Sequence, residues 1–203
     1  MKIKLPETYA EMTVGQYMEL WDTFEREQDT PTAIRRCIEI LASLDQGALN
    51  DADWNDIDQA AEKLRWLLDE PDPFTLRMQL QQKVCLEGRW YGFIPDWSKL
   101  TVAEYADLET YCNQGLFMHL DRAMAVMYRP ITREAHGMYD IETYEPSKER
   151  RELMRDCPMS VCVSAVVFFC RIQKVSATTT QRYSREMAAA KKTRYKRNGG
   201  GTG

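Results

Sequence analysis

The side chains of this sequence that could hold a metal or drive a reaction stand at spacings that do not complete any such site. Asp51, Asp53, Asn55 and Glu62 occupy positions one, three, five and twelve of a calcium-loop pattern. Position six of that pattern must be glycine, because the chain turns sharply there, and this sequence has Asp56. Acidic residues grouped before an apolar run also suit a helix N-terminus, where the helix dipole favours negative charge; that is the reading adopted for Asp51 to Asp58. Cys157, Cys162 and Cys170 lie five and eight residues apart with no second close pair to complete a tetrahedral zinc set. The two histidines are His119 and His136, and His119 sits within an apolar Phe117-Met118-His119-Leu120 stretch that reads as packing. There is no Gly-x-Ser-x-Gly elbow and no phosphate-binding Gly-x-x-x-x-Gly-Lys loop. Gly88 and Gly92 flank aromatic residues and open no helix, so they form no dinucleotide turn. The expectation is a protein that is not an enzyme and carries no catalytic residues, cofactor or metal.

Residues that could bind a macromolecule are more prominent. From Arg171 onward the chain has nine basic residues against the single acid Glu186, whereas the first 170 residues hold 18 basic and 30 acidic side chains. Arg182, Arg185, Lys191, Lys192, Arg194, Lys196 and Arg197 therefore form a basic arm on an acidic body, suited to an acidic partner or to non-specific nucleic-acid contact. The overall formal charge of −4 excludes a uniformly basic nucleic-acid coat. Among the aromatics, Trp54, Trp66, Trp90, Trp97 and Tyr91 read mostly as core. Tyr139 and Tyr144, beside Asp140, Glu142 and Glu145, read as exposed partner-binding residues on a loop.

The elements that must position these groups follow from periodicity. A strand is expected over Lys2 to Leu5. Thr13 caps a helix with Gln16 as its capping-box partner, and Val14, Tyr17, Met18, Trp21 and Phe24 form its apolar stripe. Pro31 starts the next helix, with Ile34, Cys37, Ile38 and Leu41 on one face. A third helix is expected from Asn50 or Asp51 through Leu68, stopping before Pro71. Residues 75 to 94 read as a β-hairpin turning at Glu87-Gly88. Thr101 and Glu104 form a second capping box, ahead of Val102, Tyr105, Leu108 and Tyr111. Phe117 to Met127 is expected to be helical and to end at Arg129-Pro130, with residues 131 to 146 as a polar loop. Two more helices follow at about 147–156 and 159–176. The fourteen uncharged residues Cys157 to Cys170 are too few to span a bilayer and read as a core helix covered on most sides.

The chain also matches itself. Leu5-Pro6-Glu7 precedes Thr13-Val14-Gly15-Gln16-Tyr17, and Ile94-Pro95-Asp96 precedes Thr101-Val102-Ala103-Glu104-Tyr105; Arg36-Cys37-Ile38 and Arg122-Ala123-Met124 follow in turn. The expectation is a mainly α fold: a helical body over residues 1–176 with a duplicated helical-hairpin unit (1–45 and 90–131), a small β-hairpin, and a flexible basic C-terminal arm over 177–203. The N-terminus has no apolar signal-peptide core, so the six cysteines are expected to be reduced, in a cytosolic compartment.

The paired Thr-Val-x-x-Tyr helices, Tyr128-Arg129-Pro130-Ile131, Tyr139-Asp140-Ile141-Glu142 and the apolar Pro158 to Phe169 helix resemble small helical proteins of bacteriophage structural modules, most nearly tail assembly chaperones. That resemblance implies a non-enzymatic chaperone or adaptor that binds a helical protein partner, such as a tape measure protein, in the host cytoplasm and with no membrane. The alternative is a virion component that contacts other virion proteins or packaged DNA through the basic arm.

Overall fold

The computed structural model describes residues 3–27, 29–67 and 78–172; the arm residues Arg182 to Arg197 lie outside them. Within these residues the fold is mainly helical, with one small antiparallel sheet. The helices are α1 (Val14–Arg26), α2 (Thr30–Leu41), α3 (Trp54–Lys63), α4 (Val102–Asn113), α5 (Leu120–Met127), α6 (Lys148–Met154) and α7 (residues 159–172). The strands are β1 (Lys83–Leu86), β2 (Arg89–Phe93), β3 (Tyr128–Ala135) and β4 (Met138–Ile141), in spatial order β1-β2-β3-β4.

Both capping boxes form as read from the sequence. Thr13 Oγ1 accepts the N–H of Gln16, whose side chain accepts the N–H of Thr13. Thr101 and Glu104 repeat the arrangement on α4. Each reciprocal bond satisfies helix N–H groups that have no partner within the helix. Asp29 caps α2, with Pro31 in its first turn, and Asp53 caps α3, so the Asp51 to Asp58 acids do build a helix start.

The first hairpin, β1 with β2, pairs Val84 with Tyr91 around Glu87 and Gly88, both at positive φ. A second hairpin replaces the loop expected at 131–146: β3 pairs with β4 from Ile131↔Ile141 to Ala135↔Met138, turning at His136 and Gly137. No alternation marks β3, because Thr132, Arg133 and Glu134 all face solvent. Arg129-Pro130 does not end a helix either. α5 stops at Met127, and the chain passes directly into β3, where Tyr91 pairs with Pro130 and Phe93 with Tyr128. Proline fits there because its carbonyl still accepts the Glu142 N–H.

Four further boundaries differ. Ile3 to Leu5 forms no strand, so the two repeated segments are not both introduced by one. α3 is shorter than its pattern and gives way to a 3-10 turn at Arg65–Leu67. Leu116–His119 is likewise a 3-10 turn, and α5 begins only at Leu120. The expected strand residues 78–82 lie outside the strand, which begins at Lys83, although the Gln82 carbonyl accepts the Phe93 N–H at 2.8 Å.

α7 runs through the core. Val161, Cys162, Val163, Ala165, Val166, Val167 and Phe169 are all buried, as the lack of a single apolar stripe required. Phe168 packs edge-on against Phe93 of β2 at 5.4 Å, and Trp97 lies against Phe169 at 5.7 Å. Ser164, fully buried, donates to the Val161 carbonyl and accepts the N–H of Gln81, tying α7 to the approach to β1. The stretch between α6 and α7 closes over α1: Val14 N–H donates to Cys157 O, Gly15 N–H to Arg155 O, and Met159 N–H to Met12 O.

Candidate partner-binding surface

The two Thr-Val-x-x-Tyr helices fold alike and are covered differently. On α1, Val14 is 0% exposed, with its N–H bonded to Cys157 O, and Tyr17 is 2% exposed, packed among Tyr9, Trp21 and Phe117. On α4, Val102 is 87% exposed and Tyr105 46%. These two α4 side chains sit three residues apart, on one helix face. With Trp97, Leu100, Phe169 and Ile172 they line an apolar groove of about 360 Å³. Trp97 is held by a 3-10 turn capped by Asp96, whose carboxylate accepts from Ser98 N–H and Oγ–H. The Trp97 indole N–H is itself buried and has no acceptor among the described residues. The groove therefore offers exposed apolar area, the main ingredient of a surface that binds another chain.

A second, smaller apolar groove of about 180 Å³ lies between α1, α2 and the end of α3, lined by Trp21, Phe24, Cys37, Leu41 and Leu67. Phe24 is its exposed rim residue.

Tyr139 and Tyr144 are not the exposed loop residues expected; both are half-buried and their hydroxyls are engaged internally. Tyr139, in β4, lies across β2: its hydroxyl donates to the Phe93 carbonyl at 2.8 Å and lies 3.1 Å from that of Gln82. Its ring rests where a side chain of Gly92 would be, since a Cβ there would come within 2.4 Å of Tyr139 Cε2. Tyr144 donates to the Asp107 carboxylate on α4, and the Arg129 guanidinium lies 5.9 Å from its ring centre. Burial and the adjacent carboxylate together hold the Tyr144 phenol well above its ordinary range. The large aromatics that do face solvent are Trp54, Trp90, Phe24 and Tyr105.

The sequence reading passed over Val102 and Tyr105 because their pattern is the same as that of the buried Val14 and Tyr17. What distinguishes the start of α1 is the 155–159 stretch, some 140 positions away, and its local trace is Gly15, where α4 has Ala103: a Cβ at Gly15 would come within 3.1 Å of Arg155 O.

The titratable groups are arranged for packing. Cys37, Cys157 and Cys162 are buried free thiols; burial pushes Cys37 and Cys157 up to about 12 and Cys162 well above its ordinary value. His119 stacks near Tyr111 at 5.8 Å, and its imidazole is held below its usual range, first by burial and then by the Arg122 and Arg151 charges. Among the described residues no group of three or more His, Cys, Asp or Glu side chains is placed to hold a metal ion, and no helix is long and apolar enough to cross a membrane.

No protein-family model matches the chain, and neither a curated protein nor a solved structure does.

Proposed function

We propose that this protein is a non-enzymatic assembly chaperone or adaptor of a bacteriophage, which holds an apolar helical segment of a structural protein such as a tape measure protein in the host cytoplasm. The observation that carries the reading is the bare α4 face, with Val102 87% and Tyr105 46% exposed beside Trp97. An amphipathic helix laid on that face would cover both side chains. The acidic balance of the first 170 residues suits a basic partner helix.

The test is co-expression with a tape measure protein of the same phage, comparing the parent with a Val102→Glu/Tyr105→Glu double variant. Both positions face solvent, so the fold should persist. The parent should keep the partner soluble and co-purify with it, and the double variant should lose both effects. Equal recovery with the two proteins would overturn the reading. The basic composition of residues 171–197 favours a second reading, a virion component contacting packaged DNA. Mass spectrometry of purified particles separates the two, since abundant protein in mature particles would favour the virion component.

We also infer that residues 1–45 and 90–131 are related units. Supporting this, the capping-box residue performs a matching task in each. Gln16 Nε2 donates to the Ile40 carbonyl near the end of α2, and Glu104 pairs with Arg129 just beyond the end of α5.

A further inference from the structure

A cleft of about 250 Å³ opens between α5 and the start of α6. Its floor is apolar, formed by Ala125 and Val126 beside the Tyr111 ring, and Arg122, Lys148 and Arg151 line it against a single carboxylate, Glu145. Three cations in one small cleft stand out on a body with an excess of acids. Arg151 is already committed: its Nε donates to Asp121 Oδ2 at 2.7 Å, and that carboxylate is almost fully buried. Lys148 lies 3.7 Å from Glu152 with both groups in solvent, a contact worth little. Arg122 makes no ion pair among the described residues.

The first helical hairpin shows what Arg122 lacks. Arg36 holds the matching place on α2, and three residues on stands Glu39, 1% exposed. Arg36 donates to Glu39 Oε2 at 3.3 Å, while the N–H groups of Gly47 and Leu49 donate to Oε1. Three residues beyond Arg122 stands Ala125, a floor residue of the cleft. The carboxylate that the first hairpin supplies from its own helix is missing from the second. This comparison rests on reading the two hairpins as related units; the cleft and its unpaired arginine do not.

We propose that the cleft binds an acidic side chain of a partner protein's peptide segment, the carboxylate seated between Arg122 and Lys148 and a neighbouring apolar side chain on the Ala125–Val126 floor. A charged arginine and a carboxylate make short, charge-assisted hydrogen bonds, and the apolar floor lowers competition from water. Nucleic acid fits less well: a polyanion would meet the acidic body around the cleft, and 250 Å³ admits a side chain or two rather than a strand.

The test uses the full chain labelled with nitrogen-15 and follows the Arg122 Nε–H signal. The probes are a blocked Leu-Glu-Leu tripeptide, its Leu-Gln-Leu counterpart, inorganic phosphate and a thymidine oligonucleotide. The glutamate peptide should shift the signal saturably, and the glutamine peptide should bind about tenfold more weakly or not at all. Arg122→Gln should remove the binding without lowering the melting temperature, because Arg122 strands no partner when it leaves. Ala125→Glu should also remove it, by supplying the carboxylate within the chain; if that variant fails to fold, Arg122→Gln alone decides. Val102→Glu/Tyr105→Glu should retain peptide binding, so failure here and failure of the chaperone reading are distinguishable. Equal binding of the two tripeptides, preference for the oligonucleotide, response to phosphate alone, or unchanged binding by Arg122→Gln would each overturn the proposal.

Discussion

Glu104 and Arg129 form an ion pair at 2.5 Å with both side chains almost wholly buried. Glu104 does two jobs at once. One carboxylate oxygen closes the capping box of α4 by accepting from Thr101 N–H and Oγ–H, each at 2.6 Å; the other holds the first residues of β3. A helix start and a strand start are thus locked by one side chain. Burial lowers the Arg129 pKa and the Glu104 charge opposes that, so the two charges depend on each other.

Glu104→Gln should therefore cost about 3–5 kcal/mol, the usual penalty for stranding a buried charge. Chemical denaturation of the single variants, and of Glu104→Gln with Arg129→Met, measures it. The double variant should recover part of the loss, because no charge is then left unpaired. A Glu104→Gln protein as stable as the parent would show that the pair contributes nothing.

Gly92→Ala should destabilise by about 2 kcal/mol or more, since overpacking and the loss of the Tyr139 hydrogen bonds act together. The added methyl would meet the Tyr139 ring and push its hydroxyl away from the Phe93 carbonyl. Thermal melts of Gly92→Ala with and without Tyr139→Ala provide the check. The second change should cost less in the Gly92→Ala background than in the parent, because the ring has already been displaced.

His119 gives a pH prediction with a fixed sign. Its folded pKa lies below the ordinary 6.5, so the unfolded chain binds its proton more readily. The stability this contributes is fully present above pH 6.5 and is lost as pH falls through the lower, folded value. A His119→Phe variant should show a flatter stability curve across that window in pH-dependent melts. Arg122→Gln should raise the His119 pKa, read from its imidazole resonances, because one of the two charges that depress it is gone. An unchanged titration would mean Arg122 does not face the imidazole.

The thiols should divide by burial. Under denaturing, non-reducing conditions a thiol reagent should count all six cysteines. In the folded protein near neutral pH, the exposed Cys85 and Cys112 should react first, and Cys37, Cys157 and Cys162 should lag. Burial both hides these three and suppresses their reactive thiolate form. Rapid labelling of Cys162 in the native state would contradict the burial of α7.

The elements that declare themselves locally were legible in the sequence. Thr13 with Gln16 and Thr101 with Glu104 mark helix starts because a cap is a contact across three residues. The Glu87-Gly88 turn and the unstriped apolar run of α7 were legible for similar reasons. The second hairpin was not, because Thr132, Arg133 and Glu134 are all exposed in succession on β3 and the alternating β4 is only four residues long. Tyr139 and Tyr144 looked free because their partners, Phe93, Gln82 and Asp107, lie between 37 and 57 positions away. The candidate surface was hidden for the converse reason: Val102 stands in nearly the same local pattern as Val14, and the backbone that bonds over Val14 and Gly15 comes from the distant 155–159 stretch.

The bridge between Thr13 and Pro158 has a consequence for how the protein is made. During synthesis α1 leaves the ribosome early, yet the backbone that covers Val14 and Gly15 is translated only after most of the body exists. Until then α2 can pack on α1 but Val14 and Gly15 lack that backbone cover, and joining segments so far apart is slow because the loop between them must first be closed. The nascent chain thus passes through an interval in which the start of α1, like that of α4, lacks its final cover. Release from the ribosome ends that interval for α1 and leaves α4 as it was.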